Sequence, residues 1–151
     1  MSVAASTVPR ELYAEDGEIL ALPMTASETI YKGDIVRIVT AGTVTSTVAP
    51  AAADMFIGVA METKTYVDAT TKIRVYTSGV FSFIKATPAQ TDVGCLAYQD
   101  AATNQRTVLV AAITGAKNDL IVGAVVGIDP DKPTTNVLVK IQPALNLALA
   151  A

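Results

Sequence analysis

The chain has 151 residues with a formal net charge of −3, no histidine, no tryptophan and one cysteine; this is the length of one domain with room for an appended arm. Its 11 Lys and Arg are scattered, which disfavours a basic nucleic-acid face, and the lack of histidine removes the commonest general base and the usual catalytic triad. Apolar residues make up 51% but aromatics only 5%, so the apolar content is mostly Ala, Val, Ile and Leu, which suits tight sheets and close contacts between chains.

In chain order, residues 1–26 read as an extended N-terminal arm. "TVPRELYAEDGEILALPMTAS" holds two prolines and an acidic knot, and Gly17 and Pro23 stop any helical turn from growing. Its anchors for a partner are Pro9, Arg10, Leu12, Tyr13, Ile19, Leu20 and Leu22, more apolar residues than a free tail holds. The start "MSVAAST" lacks the cationic and apolar regions of a secretion signal.

From Ser27 the punctuation is all-β. Strands are predicted at Ile35 to Thr40, Thr43 to Val48 and Met55 to Glu62, followed by a polar loop, "KTYVDATT". "KIRVYTSGVFSFIK" alternates, with Ile73 and Val75 on one face and Arg74 and Tyr76 on the other, until Ser78-Gly79 interrupts it as a bulge or tight turn. Further strands follow at Gly94 to Tyr98, Arg106 to Ile113 and Leu120 to Ile128. In the last, Val137, Val139 and Ile141 share a face. The fold class is a small all-β barrel or sandwich of short antiparallel strands, spanning 27–142 and followed by a tail, 143–151. The apolar stretch Val108 to Ile128 is broken by Lys117-Asn118-Asp119 and makes a poor membrane span.

The strand series run in parallel. "KGDIVRI" answers "VGCLAYQ", "FIGVAME" answers "IVGAVVG" and "KIRVYT" answers "NVLVKI". Gly33 and Gly94 are 61 residues apart, and Gly58 and Gly123 are 65 apart. An internal duplication, 27–85 and 92–142, produces this pattern; so does chance self-similarity in a chain rich in Val and Gly.

Chemistry-bearing residues are few. Cys95 has neither an intrachain disulfide partner nor a histidine to activate it, and reads as a small apolar side chain. "AEDGE" and the turn around Asp129 and Asp131 lack the ligand count and spacing of a calcium loop. Gly33, Gly58, Gly79, Gly94 and Gly123 read as structural, because glycine inside strand patterns marks bends or close backbone approach. No catalytic residue, metal site or cofactor is expected.

Three strings carry a resemblance: Gly33-Asp34-Ile35-Val36, Ile57-Gly58-Val59-Ala60 and the V-x-x-x-G-V run from Val75 to Val80, continued by "VGCLAY", "LIVGAV" and "VLVKI". Over residues 27 to 142 the chain resembles the small capsid cement or head-decoration proteins of tailed bacteriophages. The resemblance implies a compact β domain, commonly a homotrimer, on the outer capsid surface of a virion assembled in the host cytoplasm. Its partner would be the major capsid protein, with no nucleic acid, membrane or cofactor involved. The N-terminal arm suits strand addition to a neighbour, strengthened by many copies acting together. The alternative is a host-surface or carbohydrate-binding module of a head fibre, which exposed Tyr31, Tyr66, Tyr76 and Tyr98 gathered on one face would favour. An enzyme, needing converging carboxylates in a concave site, is the weakest class.

Overall fold

The computed structural model describes residues 19–39, 41–47, 54–99, 107–111 and 120–143. They form β1 (Ile19–Pro23), β2 (Thr29–Ile30), β3 (Ile35–Ile38), β4 (Val44–Thr45), β5 (Met55–Ala60), β6 (Lys64–Thr65), β7 (Lys72–Tyr76), β8 (Val80–Ile84), β9 (Leu96–Gln99), β10 (Val108–Ala111), β11 (Ile121–Ile128) and β12 (Asn136–Ile141), with a 3-10 turn at Gln90–Asp92. The fold is all-β. Ile73 and Val75 are fully buried while Lys72 and Arg74 are exposed; Val137, Val139 and Ile141 are buried around an exposed Lys140. Period-two alternation therefore sets the buried faces.

One five-stranded antiparallel sheet has the order β1-β7-β5-β3-β4, and the other β10-β9-β11-β12-β8; β2 and β6 make a separate ribbon. In the first sheet the chain just beyond β1 meets the far edge strand through a parallel bridge, Met24 to Val44. In the second, Ile84 meets Thr107 in the same way. Each sheet thus curls until its two edges touch at one end.

The two halves are built alike. Taken in chain order, the strands of each half are arranged first, fifth, fourth, second, third. Val36 opposes Gly58, and Ala97 opposes Gly123. Immediately after each pair the register slips by one residue, leaving Ile57 and Val122 as the extra residues of matching bulges. Leu20 opposes Val75 as Phe81 opposes Val139, and Arg37 opposes Thr45 as Tyr98 opposes Leu109. The turns into β3 and β9 use Gly33 (φ +92°) and Gly94 (φ +93°), whose N–H groups donate to Ala60 O and Val125 O at 2.9 and 2.8 Å. Left-handed backbone of this kind favours glycine.

Two apolar cores result. Met24, Ile30, Val36, Val44, Ala60, Ile73 and Val75 fill the first half. The second core contains Phe83, Ala97, Val108, Val122, Val125, Val137 and Val139, and also Ile35, Phe56 and Val59 from the first half. The bulge at Ile57 makes this sharing possible. Ile57 and Ala60 turn into the first core, while Phe56 and Val59 turn outward onto the second.

Two expectations need correction. The arm predicted over residues 1–26 gives way to sheet by Ile19, because Ile19–Pro23 pairs along all of β7 and Met24 is 3% exposed in the core. The alternating partner face of Ile73 and Val75 supplies what this segment binds. The polar loop "KTYVDATT" contains β6, whose Lys64–Thr65 pairs with Thr29–Ile30. Its apolar content is too low for a strand reading, and long-range pairing decides it.

Candidate functional site

Of the arm residues, Pro9, Arg10, Leu12 and Tyr13 lie outside the described residues, as does 144–151 of the C-terminal tail. Leu22 packs against the first core. Ile19 and Leu20, on the sheet edge, are 43% and 41% exposed.

The glycines hold the backbone in positions that side chains oppose. A Cβ at Gly58 would collide with the Tyr76 carbonyl oxygen, and one at Gly123 with the Lys140 carbonyl oxygen. Gly79, at φ +123°, makes the turn from β7 to β8. These five residues form no common pocket: they fix the two bulges and three turns.

Polar chemistry concentrates on the first half. Arg37 Nε donates to Asp54 Oδ2 at 2.6 Å, both side chains being 5% exposed. The same guanidinium donates from Nη2 to Thr47 Oγ1 at 3.1 Å and from Nη1 to Thr47 O. Thr45 Oγ1 donates to Glu28 Oε1. Asp34 Oδ2 accepts from Ser46 Oγ at 3.1 Å and from the Tyr31 N–H at 3.0 Å. This is a ring of satisfied groups that ties β3 to β4 and to the 54 and 28 turns. Among the described residues no three His, Cys, Asp or Glu side chains gather as a metal site.

In the acidic turn around Asp129 and Asp131 the Asp129 carboxylate is engaged by the fold's own donors. Asp129 Oδ2 accepts from Ser82 Oγ at 2.6 Å, and Oδ1 from the Asp131 N–H at 2.9 Å; these bonds hold its carboxyl below the usual range. Hydrogen bonds from Arg74 lower Glu62, and the Lys85 ammonium at 2.9 Å lowers Asp92. Each is a structural pair.

The second half replaces that polar ring with apolar side chains. Positions equivalent to Asp34, Arg37, Thr45 and Ser46 hold Cys95, Tyr98, Leu109 and Val110. Leu109 is 46% exposed. Next to it, the buried carboxamide of Gln99 and hydroxyl of Thr107 have no hydrogen-bond partner. Their counterparts are Ile38, which is apolar, and Thr43, whose hydroxyl shares a 2.8 Å hydrogen bond with Thr25. Thr25 is matched by Ala86 in the second half. Matching "KGDIVRI" with "VGCLAYQ" already sets Gln99 against Ile38, but only the structure shows that Gln99 is buried, at 3% exposure.

The tyrosines do not share one environment. Tyr66 packs on the first core, Tyr76 meets Phe81 with ring centroids 5.5 Å apart, and Tyr31 is 55% exposed in the turn before β3. No helix among the described residues is long and apolar enough to cross a membrane. Comparison with known protein families, curated proteins and solved structures finds no match for this chain.

Proposed function

We propose that this chain is a non-enzymatic virion structural protein, a capsid decoration or cement subunit that binds the outer shell and bridges neighbouring capsid subunits. One observation carries the reading: every string of the resemblance falls where the fold is built. Gly33-Asp34-Ile35-Val36 turns into β3, Ile57-Gly58-Val59-Ala60 is the bulged centre of β5, and Val75 to Val80 joins the two halves. The motifs thus mark an architecture of outward sheet faces and edges, suited to binding by area. The same reading takes the major capsid protein as partner, a homotrimer as the acting form, and the two halves as copies of one ancestral unit.

Binding to mature, undecorated heads of the phage that encodes the chain tests this. Saturable co-sedimentation, with three copies per threefold position, is expected. No binding to any maturation state of the shell would overturn the proposal, and binding to immobilised host glycans would then favour the head-fibre alternative. The separate settings of Tyr31, Tyr66 and Tyr76 weigh toward the shell.

A further inference from the structure

The interface between the two halves has a second, unused copy on the same chain. Across the outer face of the first sheet, Ile35, Val59, Tyr76 and Ile19 stand directly opposite one another in a row. Ile35 and Val59 are 0% and 3% exposed because the second half's core covers them. On the receiving side, Phe81 packs against that core and meets Tyr76.

The equivalent row on the second sheet is Leu96, Ala124, Lys140 and Val80. Here Leu96 and Ala124 are only half-buried, Val80 is 51% exposed and the neighbouring Leu109 is 46% exposed. The counterpart of Phe81 in the first half is Leu20, which is 41% exposed. Among the described residues nothing covers the donor face of the second half or the receiver edge of the first. They are repeats of two surfaces that already fit one another.

We propose that these surfaces join across chains: the outer face of the second sheet of one copy docks against the β1 edge of a second copy. The contact is heterologous, so each chain presents one face and one edge, and successive copies close into a ring or continue as a chain according to the rotation between them. At one end of the free face Tyr98 and Leu109 stand in place of Arg37 and Thr45, trading a charge and a hydroxyl for an aromatic and an aliphatic side chain, a composition suited to the core of an interface. The stem of Lys140, in the place of Tyr76, would lie over Leu20 with its ammonium in solvent.

The full chain in solution tests this without any capsid, so a failure here is distinct from a failure to bind shells. Sedimentation velocity of the wild type is expected to show an oligomer. Leu109→Lys removes the face and Leu20→Lys removes the edge; each variant alone should be monomeric, with an unchanged circular dichroism spectrum. Mixed together they should form a one-to-one dimer, because one retains an edge and the other a face. A monomeric wild type, an oligomer that survives both substitutions, or a mixture that stays monomeric would overturn the proposal. If either lysine variant misfolds, Leu109→Ser and Leu20→Ser serve in the same mixing experiment.

Discussion

At Gly58 and Gly123 the limiting factor is distance to a neighbouring carbonyl oxygen, so the smallest side chain is already too large. Gly58→Ala and Gly123→Ala should each destabilise the protein by about 3 kcal/mol or more, in the range where a specific steric cause is required. Urea titration followed by circular dichroism measures it, and the two losses should be similar. The Arg37–Asp54 pair obeys different logic. Both side chains are buried, so Arg37→Met takes the guanidinium away from a buried carboxylate and should cost about 3–5 kcal/mol, while the double variant Arg37→Met, Asp54→Leu should regain much of that. Asp92 adds a pH dependence. Its pKa is depressed below the ordinary 3.8 by the Lys85 hydrogen bond first, opposed by burial and aided by the Ala89 N–H. A depressed folded pKa means that its contribution is complete above 3.8 and is lost as pH falls through the folded value. Lys85→Met should flatten the acid limb of stability against pH in that window.

Element by element, the pattern of alternation was legible where both faces have a clear character. Ile73 and Val75, and Val137, Val139 and Ile141, face inward as their period dictates. Where a strand is two residues long, or mixed in character, the sequence carries no such signal: Lys64–Thr65 is polar, and its strand state comes from Thr29–Ile30 opposite. Ile19–Pro23 was misread for another reason. Its proline and the nearby acids suggest an arm, yet an edge strand accepts a proline at its end, and here Pro23 faces Lys72. The structural glycines were legible as bends, whereas the unpartnered Gln99 was not, since its burial depends on strands brought together from elsewhere. The place of Ile19–Pro23 in the sheet is testable by truncation: removing residues 2–25 takes β1 and Met24 with it and should abolish cooperative folding.

For the whole molecule, the sharing of Ile35, Phe56 and Val59 between halves governs cooperativity. These residues are made by the first half and buried in the second half's core, so neither half can unfold without disturbing the other. Calorimetry should therefore show one transition whose calorimetric and van't Hoff enthalpies agree. Phe56→Ala should lower it by about 3–5 kcal/mol, as for other buried phenylalanines. Two separate transitions, the second indifferent to Phe56, would contradict the shared core.

That sharing also sets an order of events on the ribosome. Translation delivers Ile35, Phe56 and Val59 well before the strands that bury them: β12, which completes their cover, is encoded some eighty residues after Val59. At about 5–20 residues per second this interval is on the order of ten seconds. Throughout it the nascent chain carries these apolar side chains without their cover, the kind of transiently exposed surface that chaperones shield. The protein's most exposed moment thus comes before its last strand is translated, and its yield depends on what shields those side chains until Ile141 arrives.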